Sequence, residues 1–395
     1  MMNKHVMMNS LRAGLFICLL AAWSPAVAQQ KKGIQIKGSV AFQNPEVFKK
    51  YNMIWLYKGI GRDRKLLDST KVSADGKFSF LTKPGISGLY SLDILKWQSV
   101  SFWSDQDVNI SARGYDTSRV KARNSGYVAV SSKSTATQLI GMADYNRFIA
   151  DQEMELLAGE SIAAQQYAKT DTTWLSYLRS KGLIRRKADF ETQKLKQLIS
   201  SNADNPAIVY LLSQLSVDKD SQFFSIELDK LILKYPQLDE AKQLKKEFLA
   251  QLALRNSLKK GSSIPQIVYD DPQANKFDIA AYKGKYVLVD FWASWCGPCR
   301  KAIPEIKELY SAYKEKGFEV LSVSVDTDHA AWRRAMEEEQ MPWKQVISPD
   351  KNKTLADFMI VGIPTLYLVD REGKIVEKYT GFSAKLKTQL EAAFK

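Results

Sequence analysis

A closely spaced pair of cysteines, in the stretch Trp295-Cys296-Gly297-Pro298-Cys299, constrains this chain more than any other feature. A short apolar run rich in β-branched residues precedes the pair and predicts a buried strand, whereas glycine and proline between the cysteines favour the start of a helix. Unpaired backbone N–H groups and the helix dipole at such a start favour the thiolate of the first cysteine. The spacing therefore points to thiol–disulfide chemistry.

The first 28 residues have the pattern of an export signal. Lys4 and Arg12 precede an apolar run at 13–23, and alanine, valine and alanine at 26–28 offer small residues for a signal peptidase. The run is shorter than the roughly 20 residues that a membrane-spanning helix needs. We expect cleavage after residue 28 and a periplasmic chain with no transmembrane segment of its own. An uncleaved N-terminal anchor is the alternative.

The chain has few cysteine and histidine side chains that could bind a metal ion. The chain has three cysteines and two histidines, and Cys18 and His5 fall within the expected signal. His329 is then the single histidine, and its position at a predicted helix start favours a capping or exposed role. A second pair of zinc ligands is missing, as are the parts of a Ser-His-Asp triad. We predict no metal site.

The sequence pattern divides the mature chain into three parts. Short alternating runs separated by turn signals predict an antiparallel β domain, sandwich-like, at 29–131. Apolar residues at spacings of three and four predict an α-helical region at 132–260. Regular alternation of strand and helix patterns predicts an α/β domain with a mixed sheet flanked by helices at 261–395.

The net charge of +14 lies entirely in residues 1–260. Residues 261–395 carry 19 basic and 19 acidic residues, so the whole excess lies in residues 1–260. Such an excess is most simply a solvated surface. Because no motif combines stacking aromatics with arginines, we predict no nucleic-acid partner.

Residues 261–395 resemble the thioredoxin fold and, more closely, the exported thiol-disulfide oxidoreductases of the TlpA-like and ResA-like kind. The likeness is carried by the Cys-Gly-Pro-Cys stretch, by Asp290-Phe291-Trp292-Ala293 before it, by Pro304 after it and by Gly362-Ile363-Pro364-Thr365. An extra helix and strand ahead of the last motif match the insertion of the TlpA-like branch. The two preceding parts resemble, more weakly, the N-terminal region of some Gram-negative members.

The resemblance implies a redox-active disulfide between Cys296 and Cys299 and no other cofactor. Cys296, on the exposed side of the turn, would attack a disulfide of a protein substrate, and Cys299 would resolve the mixed disulfide. Asp290 lies at the spacing of the aspartate that exchanges protons with the second cysteine in thioredoxin, although many TlpA-like proteins have a non-acidic residue there. The implied substrate-binding residues are Trp295, Gly297, Pro298, Ile363 and Pro364.

Two of these positions carry further expectations. The Ile363–Pro364 bond is expected to be cis, with the backbone of Ile363 free to pair with an extended substrate. Asp290 lies on an apolar strand, so its carboxyl is expected to be buried and its pKa to be raised. Many TlpA-like proteins have an acid shortly after the second cysteine. Here Ala302 replaces it and Glu305 is a poor substitute, which favours Asp290 as the acid/base.

Three functions fit the motif. The Cys-Gly-Pro-Cys sequence resembles that of reducing members, so we predict a reductant of protein disulfides that receives electrons from a membrane carrier of the CcdA or DsbD type. An oxidase or isomerase with the same site is the alternative within this chemistry. The alternative outside it is a non-catalytic binding or adaptor protein that uses residues 29–260.

Overall fold

The computed structural model describes residues 33–41, 49, 51–83, 87–96, 98–114, 126–166 and 171–394. The expected signal at 1–28 lies outside these residues. The described residues form two compact units, one within 33–58 and 66–142 and the other within 59–65 and 143–394.

The first unit is built on eight strands: β1 (Gln35–Ala41), β2 (Met53–Lys58), β3 (Lys65–Lys71), β4 (Lys77–Leu81), β5 (Leu89–Ile94), β6 (Gln98–Trp103), β7 (Val108–Arg113) and β8 (Ala129–Ser132). They form two four-stranded sheets, in the orders β4-β1-β7-β8 and β3-β2-β5-β6. Residues from both sheets share one apolar cluster, because alternate side chains of each strand point inward. The predicted β part is therefore present, although β1 pairs in parallel with β7 and the pattern missed β3, β6 and β8.

A helical region follows: α1 (Thr135–Gln166), α2 (Asp171–Ser201), α3 (Ile208–Leu212), α4 (Val217–Lys234) and α5 (Asp239–Ser257). The short α3 is apolar on nearly all sides and is buried, since it packs among the longer helices. Phe224 of α4 stacks on Phe248 of α5 with ring centroids 4.4 Å apart. These contacts confirm the helical prediction for this region.

The C-terminal elements are β9 (Val268–Asp270), β10 (Lys276–Asp278), β11 (Tyr286–Trp292), α6 (Gly297–Tyr313), β12 (Phe318–Ser324), α7 (His329–Glu339), β13 (Lys344–Ile347), α8 (Lys351–Asp357), β14 (Thr365–Val369), β15 (Ile375–Thr380) and α9 (Ala384–Ala393). The strands form one sheet in the order β10-β9-β13-β12-β11-β14-β15. β11 lies parallel to β12 and antiparallel to β14, which confirms the predicted mixed sheet. The pattern missed the short hairpin β9–β10.

The alternation of side chains along β11 determines what lies beneath α6. Val287, Val289 and Phe291 join the apolar cluster on one face of the sheet. Leu288 instead packs with apolar residues of α6, and Trp292 packs with the two cysteines. Asp290 has the same parity as Leu288 and Trp292, so its side chain points to the face that α6 covers.

Among the described residues, no helix is both long and apolar enough to cross a bilayer.

Candidate active site

Cys296 and Cys299 form a disulfide at the N-terminus of α6, with a sulfur–sulfur distance of 2.03 Å and a Cα–Cα distance of 5.2 Å. Cys296 is the N-cap residue, and its Sγ accepts a 3.2 Å hydrogen bond from the backbone N–H of Cys299. Pro298 occupies the first turn, where its missing N–H costs no helical hydrogen bond. The strand, turn and helix thus place both sulfurs as the sequence predicts.

The expectation that Cys296 is exposed is wrong for this disulfide form. Its exposed fraction is 4%, and that of Cys299 is 2%. Cys296 packs among Trp292 and Trp332, and its Sγ lies 3.6 Å from the carbonyl oxygen of Ile363. Residues distant in sequence therefore enclose the sulfur, and little of it is exposed to solvent.

Asp290 is buried on β11, with an exposed fraction of 2%. Burial raises the pKa of its carboxyl to about 7, while a hydrogen bond from Ser322 acts in the opposite direction. That bond, from Ser322 Oγ to Oδ2 of Asp290, is 3.0 Å long, and Trp343 Nε1 donates to Ser322 Oγ at 2.9 Å. A carboxyl in this state can take up and release a proton near neutral pH.

The remaining predicted site residues surround the disulfide. Gly297 and Pro298 are exposed, and a side chain at Gly297 would meet no neighbouring atom within 4 Å. The Ile363–Pro364 bond is cis, as expected, with Pro364 buried beside the half-buried Ile363. Trp295 is 63% exposed, so this indole offers a large apolar surface directly before Cys296.

Two residues next to the predicted site residues, Val361 and Lys351, were not themselves predicted. Val361 is 98% exposed, two residues before Ile363. The Nζ atom of Lys351, at the start of α8, lies 5.1 Å from the ring centroid of Trp295, within cation–π range. The sequence did not predict that Val361 is exposed, because most valines are buried.

Asp326 and Ser294, to which the sequence pattern assigns no role, form hydrogen bonds with each other close to Cys296 in the chain. The Asp326 carboxylate accepts hydrogen bonds from the backbone N–H and the Oγ of Ser294, at 2.9 and 2.7 Å. Ser294 lies two residues before Cys296. A signal did exist, because an acidic residue two positions after the apolar strand β12 lies at the same sheet edge as the end of β11.

The other charged residues close to the cysteines in sequence are exposed or form ion pairs. Glu305 is exposed and Ala302 is buried, so no acid on this part of α6 competes with Asp290. Arg300, directly after Cys299, pairs with Glu338 at 2.6 Å and Glu339 at 2.5 Å.

His329 is exposed at the start of α7, which Asp328 caps. Within the described part of the chain, no group of three or more His, Cys, Asp or Glu residues is placed to hold a metal ion.

Known proteins match the domain that holds this site. Residues 259–393 match the Redoxin family. Over 132 residues, which are 33% of this chain and 74% of the relative, the chain is 36% identical to the thiol-disulfide oxidoreductase ResA of a Bacillus cereus strain. The chain belongs to the ResA family of thiol-disulfide oxidoreductases. ResA of Bacillus subtilis (strain 168) is 30% identical over 132 residues, 33% of this chain and 73% of that protein.

Solved structures match this ResA-family domain as well. The thioredoxin domain of a thiol-disulfide oxidoreductase from Bacteroides vulgatus is 39% identical and covers 35% of this chain and 100% of that chain, with a TM-score of 0.34. A thiol:disulfide interchange protein from Bacteroides sp. is 41% identical and covers 35% of this chain and 91% of that chain, with a TM-score of 0.33. The ResA relatives show that the chain is a thiol-disulfide oxidoreductase, as predicted.

Proposed function

We propose that this protein reduces disulfides of exported proteins, with Cys296 as the nucleophile, Cys299 as the resolving thiol and Asp290 as the proton exchanger. One observation carries the proposal. A buried carboxyl whose pKa is raised to about 7 lies on the sheet face beneath the helix whose N-terminus holds both sulfurs. An adaptor with a purely structural disulfide has no use for such a buried acid, because burying it destabilises the fold.

The reaction has two steps and transfers two electrons to the substrate. The Cys296 thiolate attacks one sulfur of a substrate disulfide, forms a mixed disulfide with it and expels the other substrate sulfur as a thiolate. The Cys299 thiolate then attacks Cys296 Sγ and releases the second substrate sulfur. The protein ends with the Cys296–Cys299 disulfide, and the substrate ends with two thiols.

Asp290 acts in the second step. Cys299 is 2% exposed, so water has little access to its thiol proton. The Asp290 carboxylate accepts that proton, which produces the attacking thiolate, and later returns it to solvent or to a leaving thiolate. A pKa of about 7 suits both directions of transfer at neutral pH.

The rim around Cys296 supplies the substrate contacts. An extended substrate segment lies across Trp295, Gly297 and Pro298 and pairs with the backbone of Ile363 beside the cis Pro364. The exposed indole of Trp295 supports this role, because a large apolar side chain at a surface contributes strongly to protein recognition.

The compartment and the electron source complete the proposal. The export pattern of residues 1–28 favours the periplasm, after cleavage of the signal. That compartment is oxidising, so the disulfide formed in each cycle must be reduced again. We assign this task to a membrane electron donor of the CcdA or DsbD type. The exported chain then consists of three parts, at 29–131, 132–260 and 261–395.

Reduction of insulin by the purified chain, with an excess of small-molecule thiol, tests the enzymatic claim. We expect activity in the wild type, loss of activity in Cys296→Ser, and a long-lived mixed disulfide with substrate in Cys299→Ser. Equal activity in the wild type and Cys296→Ser would contradict the proposal and favour an adaptor role for residues 29–260. Oxidation of a reduced substrate faster than reduction of an oxidised one would favour the oxidase or isomerase alternative.

A further inference from the structure

Asp326 follows β12 and has no part in the mechanism above, yet its side chain is 4% exposed. Its Oδ2 accepts hydrogen bonds from the backbone N–H of Ser294 at 2.9 Å and from Ser324 Oγ at 2.8 Å. Its Oδ1 accepts from Ser294 Oγ at 2.7 Å. Both oxygens thus accept hydrogen bonds from Ser294, two residues before Cys296, and Oδ2 accepts one more from Ser324 at the end of β12.

The main chain around Ser294 forms a β-turn that carries Cys296. The backbone N–H of Cys296 donates to the carbonyl oxygen of Ala293 at 3.0 Å, which closes the turn. The N–H of Ser294 is not used by this turn, and Asp326 binds it instead. The backbone N–H of Val325 also donates to the carbonyl oxygen of Trp292 at 2.9 Å. The segment after β12 therefore holds the chain on both sides of Ala293.

We propose that Asp326 is a positioning residue that sets the thiol–disulfide equilibrium of the Cys296–Cys299 pair. The inference rests on the redox function proposed above. A turn held in place keeps the Cys296 sulfur close to the Cys299 sulfur after reduction, which raises the effective concentration of one thiol at the other. This effect favours the disulfide, so it makes the reduced protein a stronger reductant.

Equilibration of the full chain with glutathione tests this inference. In that exchange the protein disulfide and two reduced glutathione molecules give the protein dithiol and one oxidised glutathione. Asp326→Asn keeps the size of the side chain but loses its charge and one acceptor oxygen. We expect its equilibrium constant for reduction to rise by about tenfold, equivalent to about 30 mV in reduction potential. Ser294→Ala removes only the Oγ contact and should give a smaller rise.

Asp328→Asn is the matched control. Asp328 lies in the same loop, caps α7 through the N–H groups of Ala330 and Ala331, and is exposed. Its variant should keep the wild-type equilibrium constant. An unchanged constant in folded Asp326→Asn would overturn the inference. If that variant does not fold, an unchanged equilibrium constant in Ser294→Ala would overturn the inference instead.

The wild type separates this inference from the function on which it rests. A wild-type pair that exchanges with glutathione, combined with an unchanged constant in the variants, would overturn only the role of Asp326. A wild-type pair that does not exchange at all would contradict the redox function and the inference together.

Discussion

Ser322 Oγ donates a 3.0 Å hydrogen bond to Oδ2 of Asp290, its neighbour in the parallel pairing of β11 with β12. The Ser322 hydroxyl is itself held by Trp343 Nε1, at 2.9 Å. Asp290 is thus buried with one hydroxyl donor, and desolvation outweighs this single hydrogen bond. The balance explains why the carboxyl keeps its proton to about pH 7.

Replacement of Asp290 by asparagine should stabilise the protein at alkaline pH. The pKa of Asp290 is 3.8 in the unfolded reference and about 7 in the folded state. The native state therefore binds the proton more tightly, and the stability from this group is present below pH 3.8 and lost as pH rises through about 7. At pH 8, Asp290→Asn should raise the free energy of unfolding by up to about 4 kcal/mol.

Urea unfolding of the oxidised wild type and of Asp290→Asn, followed by tryptophan fluorescence from about pH 4 to about pH 8, measures this difference. The two proteins should have similar stability at the acidic end of this range and diverge as the pH rises. A constant difference across the whole range would mean that Asp290 does not titrate in the folded state.

The same substitution should slow catalysis. Asparagine cannot accept the proton of Cys299, so we expect turnover in insulin reduction at neutral pH to fall by at least roughly tenfold. The wild-type pH–rate profile should show an inflection near pH 7 that the variant lacks. Glu305→Gln, which removes an exposed acid from α6, is the control and should keep wild-type turnover. An equal loss in both variants would argue against a specific role of Asp290.

Ser322→Ala should move the titration of Asp290 to higher pH. The hydrogen bond from Ser322 favours the charged carboxylate and lowers the pKa of Asp290, so its removal raises that pKa further. A ¹³C NMR titration of the Asp290 carboxyl would measure the change directly. Ser348→Ala also removes a buried hydroxyl, one that contacts Thr354 instead, and should leave the Asp290 titration where it is. A titration of Ser322→Ala at lower pH than the wild type would refute the proposed network.

Trp295→Ala should affect substrate binding more than folding. The side chain is 63% exposed, so its loss removes little buried surface, and we expect the unfolding free energy to change by less than about 1 kcal/mol. KM for a protein disulfide should rise severalfold, because the indole would contact the substrate. Leu233→Ala, at an 85% exposed position on α4, is the control for the loss of an exposed apolar residue. An unchanged KM for Trp295→Ala would remove Trp295 from the substrate site.

Local sequence was sufficient to predict the parts of the site that form within one segment. The strand, turn and helix around Cys296 follow from an apolar run, a glycine and a proline. The burial of Asp290 follows from its apolar neighbours on β11. The order of strands and helices from β11 onward likewise follows from regular alternation, and the relatives confirm the family.

Features that depend on distant segments could not be predicted in this way. Cys296 is buried because Ile363, 67 residues later, approaches its sulfur. Asp326 reaches Ser294 only because β12 pairs beside β11, which places the two strand ends together. β3 lacks an inward-facing apolar alternation, with Leu66 and Leu67 both exposed, so it carries no strand signal of the usual kind.

The reduction potential of the Cys296–Cys299 pair in the full chain tests the proposed role as a reductant most directly. It is obtained from the fraction of dithiol at defined ratios of reduced to oxidised glutathione or dithiothreitol. We predict a value near that of thioredoxin, about −270 mV. A value near that of the oxidant DsbA, about −120 mV, would contradict the role as a reductant and favour the oxidase alternative.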